Sequence, residues 1–103
     1  MNPARDIIVT FKALASAHRL GVVLCLASGV QHADGLMQAL DFNKGLCQAT
    51  TQKLRHAGLI YVKRVHGVTY YHLSDHIQVF EDKLVFDASG LEITIARALK
   101  EAS

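Results

Sequence analysis

Apolar residues recur at helical spacing in four successive stretches of this chain. The first is entered by Asn2-Pro3, an N-cap followed by proline at the first helical position, and carries Ile7, Ile8, Phe11 and Leu14 (or Ala15) on one stripe. Ser16 caps a second helix that runs to Ala27 and stops at Ser28-Gly29, with Leu20, Val23, Leu24 and Ala27 on its buried side. A short third helix spans His32 to Leu40 and presents Leu36 and Leu40. After the turn Asp41-Phe42-Asn43, a fourth helix begins at its cap Asn43, buries Cys47, Leu54 and Ala57, and ends at Gly58, where a left-handed residue costs glycine nothing. The period then shortens. Leu59-Ile60-Tyr61-Val62 and Val68-Thr69-Tyr70-Tyr71-His72-Leu73 are β-prone runs on either side of the turn signal His66-Gly67. Ser74 reads as the cap of a long last helix, with Ile77, Phe80, Leu84, Leu91, Ile95 and Leu99 on its apolar side and Ser89-Gly90 kinking or dividing it.

The chain has 103 residues, enough for one domain with a modest core. Half of them are hydrophobic, which excludes a disordered chain. No apolar run reaches the length of a membrane span, and the N-terminus lacks the apolar core of a signal peptide, so the expected location is the cytoplasm with no membrane partner. Cys25 and Cys47 are then most simply small buried hydrophobes. The net charge of +2 says little, but its distribution says more. Residues 42 to 74 hold five of the eleven Lys and Arg and none of the nine Asp and Glu, with His56, His66 and His72 among them. A basic helix feeding a basic hairpin is the layout of a winged helix-turn-helix, in which the helix enters a major groove and the hairpin reaches the neighbouring backbone. The predicted fold is therefore mainly α with a small β-hairpin, a single dimeric winged helix-turn-helix domain over residues 1–103.

Within the fourth helix, Cys47, Thr51 and Leu54 share the inner side, which leaves Lys44, Gln48, Ala49 and Gln52 outward. Glutamine bonds adenine N6 and N7, alanine touches a thymine methyl, and Lys44 suits phosphate. Lys63 and Arg64 on the hairpin are expected to contact the DNA backbone; the plainer reading is a solvated edge strand on which lysine discourages aggregation. Lys53 and Arg55 add only to the field. The first and last helices are more apolar than a small monomer needs. Ile7, Ile8, Phe11, Phe80 and Leu84 either cap the core or form a homodimer interface, and two-fold symmetry suits a palindromic duplex. The chain lacks a glycine-rich phosphate loop and a nucleophilic serine in a recognisable setting, so no enzyme and no cofactor are expected.

Four segments resemble one family in the right order. Phe11-Lys12-Ala13-Leu14-Ala15 with His18-Arg19-Leu20-Gly21-Val22-Val23-Leu24 resembles the opening helices of the ArsR/SmtB family. Leu54-Arg55-His56-Ala57-Gly58-Leu59-Ile60 is similar to the end of its recognition helix, Val65 to Leu73 to its wing, and Ser74-Asp75-His76-Ile77 to the start of its last helix. The likeness covers roughly residues 8 to 86. It implies a homodimeric repressor that leaves its operator when a metal, metalloid or oxidant binds. Relatives usually carry a Ser-x-His-Leu run in the recognition helix where this chain has Gln48-Ala49-Thr50-Thr51, so operator sequence does not transfer, and Thr51 is expected to bond back to the carbonyl four residues earlier.

The family's sensing positions are incomplete here. The Cys-x-Cys-x-x-Cys cluster of the arsenic branch falls on His32, Asp34 and Met37, without a thiolate; cap and surface roles suit His32 and Asp34. The zinc branch needs an acid and a His early in the last helix and a second pair further on. Asp75 matches the acid, Ile77 occupies the His position beside His76, and no histidine follows. Dithiol members join the second helix to the last, and here only Cys25 is in place; Cys47, on the recognition helix, is either inert packing or a thiol whose oxidation disturbs docking. No metal site is expected and the effector is unknown. A dimerisation or protein-interaction module of the same shape, with weak or lost DNA binding, is the alternative.

Overall fold

A computed structural model describes residues 3–88 and 91–96. Helix α1 (Pro3–Leu14) buries Thr10, Ala13 and Leu14, an i, i+3, i+4 set. Its core face is thus rotated from the expected stripe: Leu14 is inside, while Ile8 (49 % exposed) and Phe11 (55 %) point outward. The side chain of Ile7 lies outside the described residues. Arg19 locks the end of this helix, donating from Nε to the Ala13 carbonyl at 2.6 Å and from Nη2 to that of Lys12 at 3.0 Å. Those carbonyls have no partner within the helix, so a guanidinium there satisfies them and suits the dipole.

Helix α2 (Ala17–Ala27) is capped by Ser16, whose hydroxyl accepts from the Arg19 N–H. Val22, Val23 and Leu26 are buried, with Leu20, Leu24 and Ala27 half buried, because α1, α3, α4 and the second wing strand surround it. Helix α3 (Ala33–Leu40) starts at His32, whose Nδ1 accepts from the Gly35 N–H at 3.0 Å, and drives Leu36 into the core. Helix α4 (Lys44–His56) starts at Asn43, whose Oδ1 accepts from the Leu46 N–H at 2.8 Å. Its inner side is Cys47, Thr50, Thr51 and Leu54. Gly58 follows with φ +76°, in the left-handed region that reverses the chain.

Strands β1 (Ile60–Val65) and β2 (Val68–Leu73) pair antiparallel with Ile60 opposite Leu73 and Val65 opposite Val68. His66 (φ 52°) and Gly67 (φ 79°) make the turn, both left-handed, as a two-residue hairpin of matching twist requires. The hairpin is tied inward by the Tyr71 N–H, which donates to the Gln31 carbonyl at 2.6 Å.

The C-terminal segment is not the expected helix. After Ser74 come three strands, β3 (Ile77–Val79), β4 (Lys83–Ala88) and β5 (Leu91–Ala96), antiparallel in that order. Ser74 does not cap a helix: its hydroxyl donates to the Gly58 carbonyl at 2.6 Å and its N–H to the Leu59 carbonyl at 2.9 Å. The turn in which the Phe80 N–H meets the Lys83 carbonyl resets the pattern, and the β-branched content of Val85, Ile93, Thr94 and Ile95 favours strands. Ile77, Leu84, Phe86 and Ile93 share one face, set by the pairs Ile77–Phe86, Leu84–Ile95 and Phe86–Ile93, and α1 packs against β4 and β5. That face belongs to the same core as Val22, Leu36 and Leu54. Leu84 is fully buried within the protomer, which corrects its expected place at a dimer interface: alternation along β4 turns it inward with Phe86. Residues 89, 90 and 97–103, among them Ser89-Gly90 and Leu99, lie outside the described residues. No single described helix is long and apolar enough to cross a membrane.

The inward seat of Phe86 has a measurable consequence. Phe86→Ala is expected to cost about 3–5 kcal/mol of stability in urea unfolding, whereas Thr94→Ala, on the exposed side of β5, stays within about 0.5 kcal/mol.

Candidate nucleic-acid interface

The inner side of α4 is settled by packing, and the outer side follows from it. Thr51, at a position where an aliphatic residue would fit, donates its buried hydroxyl to the Cys47 carbonyl at 2.8 Å and lies 3.2 Å from that of Gln48. The back-bond expected from the sequence is present, and the hydroxyl needs no partner in the core. Lys44, Gln48, Ala49 and Gln52 are all exposed.

They do not form one patch. Gln48 and Gln52, joined by Arg55 and His56, line an open groove between α4 and the wing, closed on the far side by Ile60, Tyr61, Val62 and Tyr71. Lys44 and Gln48 border a second cleft with Arg64 and Thr69 of the wing. The two share Gln48 and Tyr71, so they make a continuous strip along the helix. Ala49 lies off that strip. It lines a shallow depression with Ser16, His18, Arg19 and Lys53, at the start of α2.

Pleating separates the two basic residues of the wing. In the β1–β2 register, Arg64 sits opposite Thr69 on the face that includes Val62 and Tyr71 and looks toward α4. Lys63 is opposite Tyr70, on the outer face. There its Nζ lies 5.8 Å from the centroid of Tyr61, whose ring stacks on His72 at 5.2 Å. Adjacent cations in sequence are thus on opposite sides of the hairpin. At the tip, Val65 and Val68 are exposed.

The sequence reading assigns Arg55 only a share in the field and no site role to His56 or Tyr61. A signal was present: Arg55 follows Gln48 by seven residues and Gln52 by three, which is the spacing of one helix face. No acidic residue lies anywhere between residues 42 and 74, so α4 and the wing give the strip cations and amides, and Asp34 of α3 is the one carboxylate that lines it.

Among the described residues no group of three or more His, Cys, Asp or Glu is placed to hold a metal ion. His32 spends its Nδ1 lone pair on the Gly35 N–H, and its ring meets Tyr70 edge-on. His72 is stacked on Tyr61, while Asp75 and His76 are exposed between β2 and β3. Burial pushes both the Cys25 and the Cys47 thiol up from the ordinary cysteine range.

These elements and this strip define a winged helix-turn-helix, and its form is ArsR/SmtB-like. HlyU from Vibrio cholerae matches with a TM-score of 0.67 at 22% identity, over 70% of this chain and 78% of that one. The reduced form of HlyU gives 0.66 at 22% identity, over 70% and 76%. The homodimeric winged helix-turn-helix DNA-binding domain of Mb0332 from Mycobacterium bovis, described as a possible ArsR-family transcriptional regulator, gives 0.65 at 27% identity, over 69% and 66%. No family model matches the chain, and no curated protein matches it.

Cys47 is 2 % exposed and its thiol is held protonated, so thiolate chemistry at neutral pH is suppressed. Iodoacetamide is expected to label it at least about tenfold more slowly in the folded protein than after unfolding in urea, read by mass spectrometry.

Proposed function

We propose that this protein is a sequence-specific DNA-binding transcriptional regulator, a homodimeric repressor of the ArsR type that occupies a palindromic operator and blocks polymerase sterically. The observation that carries the reading is the strip along α4: Gln48 and Gln52 on one exposed face, flanked by Lys44, Arg55 and Arg64, within a segment free of acids. The glutamines read base edges in the major groove, and the cations meet phosphates. Ala49, at the margin, is left a methyl contact. Lys63, on the outer wing face, reaches the backbone from the other side. Such a protein works in the compartment that holds its DNA, the cytoplasm.

The dimer rests on apolar side chains that the protomer leaves uncovered. Ile8 and Phe11 are exposed one turn apart on α1, and Phe80 (42 % exposed) follows β3. A second copy covers them, with Ile7 as a further contact. The symmetric dimer sets its two α4 helices about one turn of duplex, roughly 34 Å, apart. Mb0332, a homodimer by its description, supports dimerisation as such. The altered Gln48-Ala49-Thr50-Thr51 run is the feature that would favour the interaction-module alternative. Thr51 is satisfied inside its own helix, so that run is accommodated and not eroded.

Fluorescence anisotropy with duplexes from the protein's own upstream DNA tests the reading. Gln48→Ala is expected to cost about 1–3 kcal/mol and to relax preference at one base pair. Arg64→Ala should weaken all duplexes alike and reduce the slope of log K against log salt by about 1, with Lys63→Ala milder. Absence of any sequence preference at moderate salt would hand the protein to the interaction-module reading. Phe11→Glu is expected to convert the dimer to a monomer in analytical ultracentrifugation at micromolar concentration, because it places a charge in an apolar contact.

A further inference from the structure

Three elements meet around a cleft of about 410 Å³ beside the strip. Helix α3 contributes Ala33, Asp34 and Met37, α4 contributes Lys44, Cys47 and Gln48, and the wing contributes Arg64, Thr69 and Tyr71. The lining has two chemistries. Cys47 and Tyr71 are buried, and Ala33 and Met37 are half buried, so they supply the apolar minority of a mostly polar lining, with Met37 the larger half-buried side chain. Lys44 and Arg64 are exposed cations at the mouth, and Asp34 is the one carboxylate in the lining. The first turn of α4 adds the positive end of a helix dipole. Cys47 and Tyr71 serve the protomer's own core, while the half-buried Met37 adds an apolar edge that a duplex backbone does not need. A half-open recess of this size, with converging polar groups and an apolar edge at Met37, has room for a small ligand.

We propose that this cleft binds a small organic anion, a single carboxylate carried on an aromatic or aliphatic body. The carboxylate pairs with Arg64, whose planar fork suits it, and with Lys44, while Gln48 and Thr69 offer hydrogen bonds. The body packs on Met37 and Tyr71. Asp34, on the α3 side, opposes a second negative charge and so selects monoanions. The regulatory consequence rests on the DNA reading: the occupant takes Lys44, Gln48 and Arg64, so ligand and duplex exclude each other, and the anion is an inducer.

The chain has two methionines, Met1 and Met37, which makes methyl-labelled methionine a direct probe. Benzoate titrated into the labelled full chain should shift the Met37 methyl resonance saturably and leave Met1 in place. Asp34→Ala should tighten that response and Arg64→Ala abolish it. Inorganic phosphate at matched ionic strength, an anion without an apolar body, should leave Met37 unmoved. In anisotropy with the operator duplex, benzoate at ten times its own dissociation constant should weaken binding about tenfold, as competition for one site requires. The proposal fails if neither benzoate nor hexanoate moves Met37, or if phosphate moves it equally, for then the cleft is only cationic surface. Duplex binding that persists at full strength with Met37 saturated would refute the mutual exclusion. A Met37 response in a protein that binds no duplex would remove the DNA reading and leave the ligand site standing.

Discussion

The angle between α4 and the wing depends on how Ser74 is held. Its hydroxyl binds the Gly58 carbonyl and its N–H the Leu59 carbonyl, so the far end of β2 is pinned to the segment that leaves the helix. Each bond contributes only about 1 kcal/mol net. Their position matters more than their strength. Leu59 and Ile60 are buried at the same junction, so the hydrogen bonds and the apolar anchor fix one geometry between them. That junction, together with the Tyr71 N–H on the Gln31 carbonyl, sets the hairpin so that Arg64 lines one cleft with Lys44 and Gln48. The same pairing commits Ser74 and turns the chain toward β3, away from a helix start. One short contact thus shapes both the docking strip and the C-terminal sheet.

Charge in this protein acts through two periods. Along α4 the helical period puts Gln48, Gln52 and Arg55 on one face. Along β1 the period of two sends Lys63 and Arg64 to opposite faces. A count of cations over residues 42 to 74 treats all five alike, whereas the fold gives them separate duties. Lys44, Arg55 and Arg64 converge on the strip, Lys53 lies toward α2, and Lys63 stacks over Tyr61. The uniform sign still matters at a distance, where the summed field draws an anionic partner before any contact forms.

The four helices and the hairpin were readable because local signals and packing agree. Ser16, His32 and Asn43 stand where caps are needed, and Gly58 and Gly67 where φ is positive. The tail misled because its apolar positions satisfy two periods. Ile77, Phe80 and Leu84 keep helical spacing, yet a turn between Phe80 and Lys83 interrupts them, and β-branched residues after it favour strands. The orientation of α1 was also hidden, since Ile8 and Phe11 look like core residues until Thr10, Ala13 and Leu14 are seen to take that role. For the site, positions on α4 followed from the inner Cys47–Thr51–Leu54 set, but Tyr61 and the split of the wing needed the strand register.

The sensing positions known from the resemblance are spent on structure here. His32 caps α3, His72 stacks on Tyr61, and the segment after Ser74 forms strands where the zinc branch needs ligands one helical turn apart. Burial also pushes the Cys25 and Cys47 thiols up from the ordinary cysteine range, which disfavours free thiolate at both. What α3, α4 and the wing line is a half-open recess with an apolar edge at Met37 and two cations at its mouth. Those cations are the groups a phosphate backbone requires. The proposed competition needs no long-range transmission, because effector and duplex would draw on the same side chains. A metal on the tail would have to move the dimer to move α4; an anion at Lys44 and Arg64 acts where the DNA does.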